Sequence, residues 1–299
     1  MSVVLPAITA LGTTWLVELF DEVSTETADE THGLVSRFLS EFEATYSRFK
    51  PNSTISRLNT TRKHENPDPT TRELLTLGQQ LYRDTNGIFN MLVGEHLIAR
   101  GYDADYSFAP KEEPRDFPNP LTDLVITEAE IILKKGHIDL GGYGKGFLID
   151  RLAEFLRASG FKHFLINGGG DMYATSDQGT PIPIYLEHPI IPGTYVTETT
   201  LKDQGFAASS THKRRWKVSG KEYSHIVDTT TEQSAASAAD EFGIYVKAPS
   251  AVIADTWSTT LLISPPEHHT EALTRANVSL AHFNTTDSTL RTSKNFSIV

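Results

Sequence analysis

The 299-residue chain contains no cysteine. Disulfide bridges, thiolate-held metals, a cysteine nucleophile and a cysteine-linked lipid are therefore excluded. Basic residues are few beside acidic ones, 27 against 38, giving a formal charge of −11. A phosphate backbone needs a basic footprint, so nucleic acid is not an expected partner. No apolar run reaches the ~20 residues that cross a bilayer, so no membrane span is expected. Met1 to Leu19 also lacks the basic start and short apolar core of a signal peptide. With neither a leader nor a lipidation cysteine, a cytoplasmic location is the expectation.

What is present suits a folded chain, since 38% of residues are hydrophobic and 22% charged. Trp15, Val17 and Leu19 alternate with Thr14, Leu16 and Glu18, as in a half-buried strand. Leu34, Phe38, Phe42 and Tyr46 recur four apart and predict a helix over 27–49. Leu74, Leu77, Leu81 and Tyr82 predict another over about 70–84, stopped by Asn86-Gly87. The proline-rich stretch from Tyr106 to Pro120 reads as a surface loop. Val125–Leu133 and Ile138–Leu140 read as strands paired about Lys134-Lys135-Gly136. Leu148, Leu152, Phe155 and Leu156 mark the inner face of a further helix. Strands follow between Ile182 and Val227 and at Gly243–Val246, before a helix over 250–262. Helices interrupt the strands irregularly. This predicts an α+β fold, mixed sheets flanked by helices in one domain spanning 1–299, rather than a regular βαβ alternation.

Four features carry chemistry. Gly141-Gly142-Tyr143-Gly144-Lys145-Gly146 follows a strand and opens a helix, so its N–H groups could face a phosphate. It has neither the Ser or Thr of a P-loop nor a Gly-x-Gly-x-x-Gly spacing, and a turn that lets a helix approach a sheet fits equally. Asn167-Gly168-Gly169-Gly170-Asp171 implies close backbone approach, to a ligand or to a crowded strand. Asp255 and Thr259, four apart on a helix, share a face and together with carbonyl or phosphate oxygens would suit a hard cation. His225 precedes Asp228 by three residues, a spacing that allows a carboxylate to orient the imidazole. No His-Glu-x-x-His or Gly-x-Ser-x-Gly motif is present.

Together and in this order the segments resemble the ApbE family, the Mg-dependent FAD:protein FMN transferases. Leu11-Gly12-Thr13-Thr14-Trp15 resembles the family's opening strand, and residues 46–59 are similar to its Ser-x-Tyr/Phe-x-Pro-x-Ser-x-Ile segment. Asp139 to Gly146, Asn167 to Asp171 and Ala254-Asp255-Thr256-Trp257-Ser258-Thr259 resemble three further blocks, the last being its metal motif. The resemblance implies a flavin site between two lobes. It also implies transfer of FMN from FAD, with Mg²⁺, to a threonine hydroxyl of an acceptor protein, with release of AMP. Asp255 and Thr259 side chains and the carbonyls of Gly144 and Ser258 would hold the metal. Leu11, Phe49, Ile88, Phe89, Asn90, Gly141 and Phe147 would line the FAD, with His225 beside it, and Lys145 would sit near its pyrophosphate. His225 would be the base, oriented by Asp228. The chain departs from the family after Asp228, where proline and glycine are missing, at Asn90, where the family has Asp, and at Gly144, where it has Ala. Many relatives are exported. The same site would serve an FAD pyrophosphatase giving FMN and AMP, or a non-catalytic FAD-binding protein.

Overall fold

The computed structural model describes residues 2–176, 179–210, 215–218, 220–229, 242–264 and 269–299. In chain order the elements are β1 (Val3–Val4), β2 (Ile8–Ala10), β3 (Thr13–Leu19), α1 (Thr25–Tyr46), α2 (Thr54–Thr61), β4 (Lys63–Glu65), α3 (Pro69–Asp84), α4 (Gly94–Ala99), α5 (Pro120–Asp123), β5 (Leu124–Ile126), β6 (Glu130–Leu133) and α6 (Gly144–Ala158). They continue as β7 (His163–Gly168), β8 (Asp171–Ser176), β9 (Ile182–Glu187), β10 (Tyr195–Leu201), β11 (Gln204–Ser209), β12 (Arg215–Val218), β13 (Lys221–Ser224), β14 (Phe242–Ala248), α7 (Ala251–Ile263), α8 (His269–Ala276), β15 (Ser279–Asn284) and β16 (Thr289–Thr292). This is the expected α+β class.

The main sheet runs in the order β1-β3-β7-β8-β11-β14-β15-β16, with β2 added to β3, and its pairings are antiparallel. The N-terminal alternation is realised in β3, where Trp15, Val17 and Leu19 are buried and Leu16 is exposed. Further along, the sheet is covered on both faces, so β14 is buried from Gly243 to Ala248, Lys247 included, rather than alternating. Ile244, Val246 and Ala248 pack with Trp257 and Leu261 of α7, while Tyr245 packs with Ile184 and Leu186 of β9. Helices α1, α2, α3 and α6 share a separate core with β3 and β7.

Helix starts follow side-chain chemistry. Ser24, Ser53, Asp68 and Ser250 each accept a hydrogen bond from a backbone N–H of the first turn of α1, α2, α3 and α7. Two details differ from expectation. On α1 the buried face is Ala28, Thr31, Val35, Leu39, Phe42 and Tyr46, and Leu34 is 45% exposed. The true stripe mixes steps of three and four, whereas strict four-residue spacing drifts around a 3.6-residue helix. The strand pair of 125–133 closes on itself, with Ile126 facing Ile131, and Ile138–Leu140 forms no strand. Its backbone serves side chains instead: Asn59 Nδ2 donates to the Ile138 carbonyl and Asn59 Oδ1 accepts from its N–H. The proline-rich stretch lacks strand and helix as far as α5, as expected of a loop.

Candidate active site

The start of α6 packs closely against the start of α7. A Cβ on Gly146 would lie 2.5 Å from Val252 Cα and 2.6 Å from the Ala251 carbonyl, so only glycine fits. Gly205 of β11 is constrained in the same way by the backbone of Ser250 and Ala251. Asp150 of α6 fixes the crossing, accepting from Ala251 N–H at 2.7 Å and Val252 N–H at 2.9 Å. Burial raises the Asp150 carboxyl to about 6, against the pull of those two bonds.

At this crossing Asp255 Oδ2 accepts from Gly146 N–H at 3.0 Å and lies 3.5 Å from Lys145 Nζ. Lys145 also pairs with Asp171, the first residue of β8. Asp255 is 3% exposed, and burial, with Asp171 nearby, pushes its carboxyl up to about 7 despite the attraction of Lys145. Burial pulls the Lys145 ammonium down, but Asp171 and Asp255 outweigh it and hold its pKa above the ordinary range. One turn beyond Asp255, Thr259 is half-buried with Oγ1 3.3 Å from Ser209 Oγ, which also meets Ser258 Oγ at 2.7 Å.

The two hairpin turns of the neighbouring strands lie against each other. A Cβ on Gly169 would collide with the Thr13 side chain, and Leu11 sits at φ 52° with its N–H donating to Glu43 Oε1 at 3.0 Å. Leu11, the glycines before Asp171 and the α6 start thus lie at one end of the sheet.

An aromatic wall adjoins it. Arg48 pairs with Asp139, whose Oδ1 accepts from Gly141 N–H at 2.7 Å. The Arg48 guanidinium stands 4.1 Å from the Phe49 ring centre and donates to the Tyr102 carbonyl at 3.0 Å. Phe49 stacks on Tyr106 at 5.2 Å and 4°, and Tyr102 stacks on Trp216 at 5.9 Å. The half-buried His225 ring lies 6.5 Å from that of Tyr102. Around His225 the chain is pinned twice: Arg100 donates to the Ile226 carbonyl at 3.4 Å and Thr229 Oγ1 to the Ile88 carbonyl at 2.6 Å. Of the departure that begins after Asp228, Thr229 is described and residues 230–232 lie outside the described residues.

The other expected lining residues differ in character. Phe89 is buried against Gly142, where a Cβ would lie 2.9 Å from Phe89 Cε2. Asn90, 6% exposed, is engaged internally, donating to the Pro118 carbonyl at 2.8 Å and accepting from Leu92 N–H at 2.9 Å. Phe147 is buried beside Phe42. The structure adds Asp171, Ser209, Arg48 and Asp139 to the constellation. Asp139 and Asp171 stand inside the glycine-bearing segments and Arg48 beside Phe49, but Ser209 has no sequence signal.

The ApbE family model matches residues 11–282. This chain belongs to the ApbE family. A relative from Haemophilus influenzae, named FAD:protein FMN transferase, is 25% identical over 299 residues, covering 90% of this chain and 83% of its own. The ApbE protein of Thermotoga maritima superposes with a TM-score of 0.84 at 18% identity, over 98% of this chain and 97% of that one. The Pseudomonas stutzeri flavinyl transferase ApbE gives 0.78 at 21% identity, over 98% and 94%. Among the described residues no helix is long and apolar enough to cross a membrane.

The α6–α7 crossing of this ApbE-family chain fits a hard cation. Lys145 answers only one of the two carboxylates beside it, so with both ionised the trio carries one excess negative charge. Asp255 spends Oδ2 on its two donors, while Oδ1 makes no hydrogen bond among the described residues. Gly144 and Ser258 lie in α6 and α7, and a helical carbonyl keeps a second lone pair after its ladder bond.

Proposed function

We propose that this chain is a Mg²⁺-dependent FAD:protein FMN transferase. The observation that carries this is the trio of half-buried Lys145 with buried Asp171 and Asp255 at the start of α6, with Thr259 one turn away and His225 across the aromatic wall. The transferase names of the relatives support the same reaction. Asp255 and Thr259 side chains, with the Gly144 and Ser258 carbonyls, would hold the metal, which supplies charge neutralisation at the pyrophosphate. Lys145 adds a second positive charge there. Leu11, Phe49, Ile88, Phe89 and Gly141 border the FAD, while Asn90 and Phe147 support that border from within. His225, oriented by Asp228, takes the proton of an acceptor threonine hydroxyl. The threonine oxygen bonds to the FMN phosphorus, the bond from that phosphorus to the bridging oxygen breaks, and AMP leaves with that oxygen. Positioning and electrostatics supply most of the acceleration in such transfers.

The test is product analysis after incubation with FAD, Mg²⁺ and a threonine-bearing acceptor domain. Covalent flavin on the acceptor with equimolar AMP is expected, and Asp255→Ala or Thr259→Ala should abolish both. AMP with free FMN would identify a pyrophosphatase instead, and intact bound FAD in every sample a binding protein.

A further inference from the structure

The proposed transfer leaves the proline-rich segment from Tyr106 to Pro120 without a task. The segment is docked along the end of α4. Phe108 N–H donates to the Gly101 carbonyl at 2.9 Å and Lys111 N–H to the Ala99 carbonyl at 2.6 Å. Gly101, at φ 88°, is pressed so closely that a Cβ would lie 2.4 Å from Ala109 N and 2.7 Å from Phe108 Cα. Glu113 reaches in from the segment, its Oε2 accepting from Arg100 Nε at 3.0 Å. Further on, the Phe117 ring stacks on that of His96 in α4 at 4.2 Å.

Arg100 is at the centre of this docking. Its side chain is 1% exposed, and Glu113 is its one carboxylate partner among the described residues. A buried guanidinium is costly unless its charge and donors are answered. A cation at the end of a helix can turn back to the last carbonyls of that helix. Arg100 instead sends Nη1 across to the Ile226 carbonyl at 3.4 Å, one residue after His225. From the other side Trp216 Nε1 donates to the Arg100 carbonyl at 2.9 Å. The Trp216 ring stacks on Tyr102, whose own ring lies 6.5 Å from that of His225. One residue thus ties together the proline-rich segment, the β12–β13 hairpin and the stretch of chain that carries His225. Packing acts in the same direction, since Val227 is buried with Leu97 and Tyr102 in a small apolar cluster.

We propose that Arg100, held by Glu113, is a positioning residue for His225, fixing the backbone from which the base acts. This role rests on the transferase reading, with His225 as the base. The test is steady-state flavin transfer to the acceptor domain, with FAD affinity measured separately by fluorescence quenching. Arg100→Met keeps most of the side chain's length and removes both of its bonds. It should lower kcat about 10–100-fold, the scale of a misplacement of up to ~1 Å at a reacting group. Its KM for FAD and its FAD affinity should stay within about threefold of wild type. Arg100→Lys keeps a charge beside Glu113 and should recover part of the loss, with a kcat between wild type and Arg100→Met. Glu113→Gln, at the outer end of the pair, still offers Nε an acceptor and so preserves the fold. It should lower kcat about three- to tenfold at unchanged FAD affinity, the difference between a charged and a neutral hydrogen bond. A kcat for Arg100→Met within about twofold of wild type would overturn the proposal. So would FAD affinity lost in step with kcat in both Arg100→Met and Glu113→Gln, the pattern of residues that only support the fold. A wild type that transfers no flavin would refute the transferase reading and this role with it, whereas an active wild type with indifferent variants refutes the role alone.

Discussion

Replacing Gly146 by alanine probes the contact on which the proposed metal site depends. The new methyl would sit 2.5 Å from Val252 Cα and 2.6 Å from the Ala251 carbonyl, both backbone atoms that no rotamer change can move. Optimal carbon contacts lie near 3.5–4.0 Å, so α6 and α7 must part by roughly 1 Å. Overpacking of this kind costs about 1–3 kcal/mol. The same displacement stretches the 3.0 Å bond from Gly146 N–H to Asp255 beyond hydrogen-bonding range. A bond to a charged group contributes about 1.5–3 kcal/mol. Alanine returns about 0.5–1 kcal/mol through helix propensity. The net loss is about 3 kcal/mol, a fall of about 6–12 °C in Tm for a chain of this size. Gly33→Ala is the control: it lies on the exposed side of α1 with nothing within 4 Å of its Cβ, and should gain the propensity without the clash. Differential scanning calorimetry of both variants decides the matter. A Gly146→Ala protein melting within a degree of Gly33→Ala would refute the close crossing and the constraint it places on Asp255.

Asp139→Asn should leave the Arg48 guanidinium buried without its counter-charge, since the two side chains are only 6% and 11% exposed. A loss of about 3 kcal/mol in urea unfolding is expected, with weaker FAD binding by fluorescence quenching, whereas an unchanged urea midpoint would contradict the pair's burial. His225→Ala should abolish covalent flavin transfer while FAD affinity stays within about threefold of wild type, the pattern expected when a group acting only in the transition state is lost; full transfer would remove His225 from the mechanism. Burial, with smaller contributions from His269 and Arg291, lowers His282 to about 4. The folded pKa lies below the unfolded value of about 6.5, so the contribution is complete above pH 6.5 and lost as pH falls towards 4. With His282 only half-buried the loss should be about 1–2 kcal/mol. His282→Gln should flatten the pH dependence of Tm between 6.5 and 4, and an unaltered slope would show that another group sets it.

Much of the fold was legible where one physical cause dominated. The alternation in β3 and the Asn86-Gly87 stop after α3 are local, and sequence reveals local causes. The strand expected at Ile138–Leu140 failed because an apolar run does not reveal where its hydrogen bonds go; here they go to the Asn59 side chain, seventy-nine residues away. Ser209 was illegible for a similar reason, since only the pairing of β11 with β14 brings it under Thr259. Asp171 and Asp139 were visible inside their segments, but their partners, Lys145 and Arg48, are fixed by tertiary packing.

The glycine segment 141–146, even-handed as sequence, separates into different roles. Gly146 and Gly142 are small because a helix backbone and the Phe89 ring press against them. Gly141 is exposed, and its N–H is turned to Asp139 rather than left to a ligand. The N–H of Gly146 is likewise spent on Asp255. Much of the segment's donor capacity is therefore absorbed internally, unlike a P-loop, whose free N–H groups cradle phosphate. In the proposed function, positive charge at this place would come from Lys145 and from a cation held by Asp255. The excess carboxylate beside Lys145, more than the glycines, is therefore what supports placing the pyrophosphate at this end of the sheet in the proposed function.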